Sequence, residues 1–241
     1  LYDINEELIL TYKVVQKDVS KLLDFLYHYQ KDYIKLDKKE RQNFFYDQRN
    51  SYNLQRFNIN YSKYSEHWFP RAAQLIFLNR TCFNGLYRVN SKGEFNSPVG
   101  DYVNPVICDE KNLLAVHKVL QIAEIKKADF KQVVTDLNEQ SFIYFDPPYR
   151  PISKTASFNA YSKHAFDHNE QVELASLFRK LDQQGMLMML SNSDPKNNDP
   201  NDNFFEEIYN GFNITRVPAK RMINSDSNKR GAINEIVVTN Y

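Results

Sequence analysis

The sequence predicts an α/β protein built on an open, largely parallel sheet with helices on both faces. Three observations carry that prediction. After Asp109, short apolar runs alternate with amphipathic stretches of helical period in the order αβαβ. A glycine-bearing stretch from Thr81 to Pro105 interrupts the pattern and marks a second, inserted segment. The composition, 42% hydrophobic and 14% aromatic, is enough to build a core and excludes a disordered chain.

The opening "LYDIN" is strand-like. From Glu6 to about Leu36, residues Leu8, Tyr12, Val15, Val19, Leu22, Leu23, Leu26 and Tyr27 recur at helical steps and predict one helix. Lys38 to Tyr52 predicts a polar, aromatic helix, and an Asn- and Tyr-rich break follows. Trp68 to Asn79 is helical again, with Pro70 tolerated in its first turn. Leu86 to Val89, running into "NSKGE", reads as a hairpin or a turn-rich loop. Leu113 to Ile122 is a helix, Glu124 to Lys127 a short strand and Phe130 to Leu137 a helix. Phe142 to Phe145 is a strand and His168 to Leu181 a helix. "GMLMMLSNSD" is a buried strand opened by Gly185. Asn203 to Tyr209 is a helix, and Phe212 to Val217 and Asn234 to Tyr241 are the last strands.

Charge and cysteine usage narrow the classes. The 31 Lys+Arg nearly cancel the 30 Asp+Glu, so a net charge of +1 neither advertises nor forbids a nucleic-acid partner. Two cysteines, Cys82 and Cys108, make no disulfide framework and no CxxC, which fits a reducing, intracellular setting without structural zinc. No apolar run approaches the roughly 20 residues of a membrane span.

The stretch with chemistry in it is "SFIYFDPPYRP", Ser141 to Pro151. A core strand ends on Asp146-Pro147-Pro148-Tyr149. Each proline fixes its own φ and pushes the residue before it out of the α region, so the backbone is stiff and an acid and a phenol project from it at set positions. The C-terminal edge of a sheet is where open α/β folds place ligands. A plain strand-ending turn is the other reading of these four letters.

With its surroundings, the motif resembles a known family. "FLNRTCFNGLYRVNSKGEFNSPVGDY", "DPPYRPISKTASFNAY", "LMMLSNSD" and "KRGAINEIVVTNY" are similar to the Dam-type (D12 class, alpha group) N6-adenine DNA methyltransferases, and the resemblance runs the length of the chain. It implies a Rossmann-like S-adenosylmethionine-dependent methyltransferase sheet, residues 1–36 and 107–241, with an inserted, mostly helical target-recognition domain, residues 37–106. It implies S-adenosyl-L-methionine as cofactor, double-stranded DNA as substrate, no metal, and action as a cytoplasmic monomer. A cognate restriction endonuclease is a further partner if the protein is not an orphan methylase.

The chemistry suits the motif. An exocyclic adenine amine is a poor nucleophile because its lone pair is delocalised into the ring. Acceptors fixed on its two hydrogens let the nitrogen rehybridise, which is preorganised electrostatics rather than covalent catalysis. The resemblance gives that part to Asp146 and the Pro147 carbonyl, with Pro148 stiffening the turn and Tyr149 offering a ring on which an everted base stacks. Asp3 suits a ribose-binding acid at a strand end, or a helix N-cap that Asn5 would also serve. Asp129 and Phe130 are placed by the resemblance at the cofactor's adenine, as acceptor and ring packing; an N-cap beside a core aromatic is the plainer alternative.

DNA contacts follow the same logic. Arg71, Arg80, Arg88 and Lys92 are the notable cations of the inserted region. The resemblance puts Arg88, Asn90, Lys92, Asn96, Pro98 and Tyr102 on DNA, where Arg and Lys suit guanine and Asn suits adenine. Asp101 stands where relatives often carry a base, which weakens a GATC target. "RVPAKRMINSDSNKRG" supplies Arg216, Lys220, Arg221, Lys229 and Arg230 for phosphates, or else is a solubilising loop. Phe158 and Tyr161 lie in the stretch that, in the family, closes near the flipped base; His164 reads as an ordinary surface histidine. The family opens with a lysine- and glycine-bearing segment and a glycine loop, yet none of the six glycines here makes GxG, so a strand–loop–helix unit is expected before Leu1. Two other classes remain open on sequence alone: an RNA or protein-amide methyltransferase using the same motif, and a non-catalytic DNA-binding module.

Overall fold

The computed structural model describes residues 1–132, 141–151, 166–220 and 232–241, with the backbone alone at 220 and 232. The chain divides into two compact units, Leu1–Asp129 and Phe130–Tyr241.

The first unit is mainly helical. It contains β1 (Tyr2–Asp3), α1 (Glu6–Lys17), α2 (Val19–Lys35), α3 (Lys38–Gln55), α4 (Trp68–Thr81), α5 (Glu110–Leu120) and β2 (Lys126–Lys127). Side chains that bond the first free amides start the helices: Asn5 accepts from the Glu7 and Leu8 amides, and Asp37 with Glu40 closes a capping box at α3. The single helix expected from Glu6 to Leu36 is two. Asp18 ends α1 and caps α2 through the Lys21 amide, a break invisible to the apolar period because the spacing continues across it. α4 is buried nearly all round, from Trp68 and Phe69 through Ala72, Ala73, Phe77 and Leu78 to Thr81. That is the pattern of a central helix, and it explains the aromatic excess. Phe77 stacks on Tyr29 at 4.7 Å between ring centres and meets Phe44 edge-on at 5.5 Å. The expected hairpin in the glycine-bearing stretch shrinks to two isolated bridges, Cys82 with Val99 and Val89 with Phe95. A tight turn lies inside them, with Gly93 at φ 77° and its amide bonded to the Asn90 carbonyl at 2.8 Å.

The second unit holds β3 (Phe142–Phe145), α6 (His168–Gln183), β4 (Leu187–Ser193), α7 (Phe204–Ile208), β5 (Asn213–Lys220) and β6 (Ala232–Thr239). Their four-stranded sheet runs β3-β4-β6-β5. β3 and β4 are parallel, but β6 is antiparallel to both neighbours. The sheet is therefore mixed, not largely parallel as expected: β5 and β6 form a hairpin at its edge, and two consecutive strand-like runs do not disclose their relative direction. In the first unit β1 and β2 pair in parallel, Tyr2 with Lys126 and Asp3 with Lys127. Alternation along the strands puts Ile143, Phe145, Met188, Leu190, Ile236 and Val238 in a core with Leu174, Phe178 and Leu181 of α6. On the opposite face Phe142, Tyr144 and Leu187 are exposed. The helix expected from Phe130 to Leu137 lies beyond the described residues after 132.

Candidate active site

The loop after β3 is held by side chains, and the reason is in its sequence. Backbone pairing between β3 and β4 ends at Phe145 with Leu190. Beyond it Pro147 and Pro148 have no amide to donate. The next three residues of β4 take over. Ser191 Oγ donates to Asp146 Oδ1 at 3.1 Å, Asn192 Oδ1 accepts from the Arg150 amide at 2.9 Å, and Ser193 Oγ donates to the Arg150 carbonyl at 2.5 Å. Gln171, in the first turn of α6, donates to the Pro148 carbonyl at 3.1 Å and accepts from Asn192 Nδ2 at 3.2 Å. Gln171 and Asn192 are both buried with their amides engaged, so the peptide bonds either side of Tyr149 are fixed.

The functional groups of that loop face outward. Asp146 and Tyr149 are exposed. Tyr149 Oη lies 3.4 Å from Glu235 Oε2, and burial pushes its phenol up while a hydrogen bond with Ser191 pulls it down. Arg150 turns away: its guanidinium bonds Asp202 Oδ2 at 2.7 Å and lies 4.5 Å from the Phe204 ring centre. The Arg150 charge holds the Asp202 carboxyl below its ordinary range, against burial, which alone would raise it.

Asp3 and Asp129 belong to one sheet edge of the first unit. Asp3 ends β1, Asp129 lies just past β2, and the Ala128 amide bonds the Asp3 carbonyl at 3.2 Å. The N-cap of α1 is Asn5, and Asp3 Oδ1 instead accepts from the Asn5 amide at 2.7 Å. Burial pushes the Asp3 carboxyl up, opposed by the backbone amides of Asn5 and Ile4. Phe130, in the second unit, packs partly on that unit's core with its ring 5.6 Å from Phe166.

The turn residues are bonded to one another. Arg88 Nε donates to Asn96 Oδ1 at 3.0 Å. Asn90 Oδ1 accepts from the Lys92 and Glu94 amides, each at 3.0 Å, and its Nδ2 donates to Glu94 at 2.7 Å, so Asn90 shapes the turn. Lys92, Pro98 and Tyr102 are exposed. From α3, Asn53 grips both the amide and the carbonyl of Phe95 and Arg49 bonds the Ser97 carbonyl, while Arg56, just past the helix, bonds the Lys92 carbonyl. Asp101 pairs with Lys38 at 2.7 Å, an exposed contact of little energetic weight.

Some residues singled out in the sequence are placed elsewhere. Arg71 is buried, forked onto Glu7 and bonded to the Tyr52 carbonyl, so it is not a surface cation. Arg80 pairs with Asp109 at 3.3 Å, and Arg216 with Asp194 at 2.9 Å and with Glu206. Phe158, Tyr161, His164, Arg221, Lys229, Arg230 and the Lys220 side chain lie outside the described residues. Among the described residues no three His, Cys, Asp or Glu side chains are grouped to hold a metal, and no helix is long and apolar enough to cross a membrane.

Sequence reasoning missed Tyr144, Gln171, Ser191, Asn192 and Ser193 as parts of this site. One signal was available. A buried strand that ends in three consecutive small polar residues has to bond something nearby.

Known proteins resemble this chain over most of its length. The model of the family described as D12 class N6 adenine-specific DNA methyltransferase matches residues 1–223. The chain is 46% identical over 240 residues to the Type II methyltransferase M.MjaIII of Methanocaldococcus jannaschii, covering 99% of this chain and 78% of the relative. It is 37% identical over 241 residues to the Type II methyltransferase M1.LlaDCHI of Lactococcus lactis subsp. cremoris, with the same two coverages, 99% and 78%. It is 30% identical over 238 residues to a DNA adenine methylase of Haemophilus influenzae, covering 98% of this chain and 76% of the relative.

Proposed function

The chain belongs to the D12 class of N6 adenine-specific DNA methyltransferases, and on that premise we propose that Asp146 and the Pro147 carbonyl activate the amine of an adenine turned out of double-stranded DNA. The observation that carries this reading is the clamp on the loop. An exposed carboxylate stands at the end of a parallel strand, on a backbone pinned at Pro148 and Arg150. A fixed acceptor costs no reorganisation at the moment of reaction.

When bound, S-adenosylmethionine supplies an electrophilic methyl group on a sulfonium sulfur. Asp146 and the Pro147 carbonyl each draw on one N–H of the adenine amine, and the nitrogen lone pair leaves the ring system. The freed lone pair would take that methyl, and the electron pair of the broken S–C bond would stay on the departing sulfur. The nitrogen then sheds one proton to the Asp146 carboxylate, from which water removes it. Tyr149, with its backbone locked, presents its ring to the base.

The donor set suits the cofactor. Two carboxylates at one edge of two parallel strands, Asp3 and Asp129, can accept from ribose hydroxyls and an adenine amino group. Phe130 would pack on the adenine ring. Residues 37–106 would select the target, with Arg88, Asn90, Lys92, Asn96, Pro98 and Tyr102 as the turn that meets DNA. Phe158 and Tyr161 would approach the everted base, and Lys220, Arg221, Lys229 and Arg230 would hold phosphates. The protein would act as a cytoplasmic monomer, and relatives named Type II methyltransferases favour a paired restriction endonuclease over an orphan role.

The test is transfer of tritiated methyl groups from S-adenosylmethionine to a substrate panel. Wild-type protein should label duplex DNA at adenine N6 and leave RNA and protein unlabelled. Asp146→Ala should abolish labelling while its circular dichroism stays that of wild type. Retained activity in that variant would reject the assigned chemistry.

A further inference from the structure

We infer that Ser191, held by Tyr144, is a positioning residue that orients the Asp146 carboxylate and so selects which of its oxygens meets the amine. The inference rests on the acceptor role proposed for Asp146 and adds the two residues behind it. β3 and β4 run in parallel, with Tyr144 opposite Met189. Ser191 is two residues beyond Met189, so alternation brings the Tyr144 and Ser191 side chains to the same sheet face. There Tyr144 Oη lies 2.9 Å from Ser191 Oγ, and Ser191 Oγ lies 3.1 Å from Asp146 Oδ1.

The direction of this chain follows from the proton inventory. An ionised carboxylate only accepts, and a serine hydroxyl has one proton to give. Ser191 gives its proton to Asp146 and therefore accepts from the Tyr144 phenol. The order is Tyr144 to Ser191 to Asp146, with each bond polarising the next. Ser191 is 7% exposed and its backbone pairs with Val237 of β6, so its hydroxyl is held by the sheet. With Oδ1 occupied, the carboxylate cannot rotate freely and Oδ2 is the oxygen offered to the base.

The experiment measures single-turnover methyl transfer and DNA affinity in the full chain for Ser191→Ala, Ser191→Thr, Tyr144→Phe, the double variant Ser191→Ala/Tyr144→Phe, and Asp146→Asn. Loss of a hydrogen bond to a charged group predicts a rate about 10- to 100-fold lower in Ser191→Ala, with DNA affinity unchanged within about twofold. Ser191→Thr keeps the hydroxyl and should restore most of the rate. Tyr144→Phe should slow transfer by a smaller factor and should add nothing once Ser191 is gone, because it acts through that hydroxyl. A wild-type rate in Ser191→Ala, or losses that multiply in the double variant, would overturn the inference. Asp146→Asn separates the two levels. If it is inactive while Ser191→Ala is unimpaired, only the positioning role fails. If it turns over at the wild-type rate, the acceptor reading fails and this inference with it.

Discussion

Replacing Arg71 by Met should damage the fold and leave DNA binding untouched, although the sequence presents Arg71 as one of the cations of the recognition region. Its guanidinium is 1% exposed and makes a two-pronged contact with Glu7, which is itself only 14% exposed. It also bonds the Tyr52 carbonyl and lies 3.4 Å from the centre of the Tyr52 ring. Removing it strands a shielded carboxylate whose remaining partner is the Tyr61 hydroxyl, at 2.5 Å. Breaking one side of such a pair costs about 3–5 kcal/mol, against near zero for an exposed pair. With a urea dependence of ~2 kcal/mol per molar, the midpoint should fall by about 2 M. The single tryptophan makes the assay local, because Trp68 is buried in the same unit and its fluorescence reports that unit's unfolding. Adding Glu7→Gln should recover about half of the loss, since the stranded charge is gone. The salt dependence of DNA binding should keep its slope. A variant as stable as wild type whose slope dropped by about 0.9, the signature of one lost phosphate contact, would refute the buried-pair argument.

Two further outcomes follow from the electrostatics. Burial raises the Asp3 carboxyl, so the native state binds its proton more tightly than the unfolded chain does. That makes the ionised form a cost to folding: stability should decline as pH rises from the unfolded to the folded value, and Asp3→Asn should melt at a higher temperature at pH 7. The same variant should bind S-adenosylmethionine more weakly by calorimetry, and a lower melting temperature would contradict the sign. Replacing Lys220, Arg221, Lys229 and Arg230 together by Ala should weaken all duplexes alike and flatten the log-affinity against log-salt slope by up to about 3.6, four contacts at about 0.9 each. A loss confined to one target sequence would argue against phosphate contacts.

What could be read in advance depended on whether the signal is local. β3 was bounded correctly because an apolar run and two prolines bracket it. α3 starts at Lys38 as expected, and the structure adds the reason: Asp37 and Glu40, three apart, cap each other. The break at Asp18 was missed because Val15, Val19 and Leu22 keep helical spacing across it. Strand direction was missed for a different reason. β6 lies between β4 and β5, and nothing within either run of residues says which neighbour it will choose. Arg71 was misjudged because a guanidinium on an otherwise buried helix face looks like any other arginine until Glu7, 64 residues away, is seen to meet it.

The same distinction explains why the Asp146 motif was legible and its clamp was not. A loop with two prolines cannot be held by a backbone ladder, since the missing amides remove the donors that a partner strand would accept from. Either the loop is loose, which would defeat the acceptor role proposed for Asp146, or donors arrive on side chains. β4 meets that requirement with Ser191, Asn192 and Ser193, whose backbones are already committed to β6 opposite Val237, Ile236 and Glu235. Only their side chains remain to reach the other way. A strand centre would ordinarily be apolar there, so three polar residues at the end of "MLMMLSNS" depart from sheet composition for a local purpose. They stand 42 to 45 residues from the atoms they hold. The acid and the prolines fix what chemistry the loop can attempt. Whether it holds still enough to perform it depends on a strand elsewhere in the chain, and the Ser191 and Tyr144 variants probe that dependence directly.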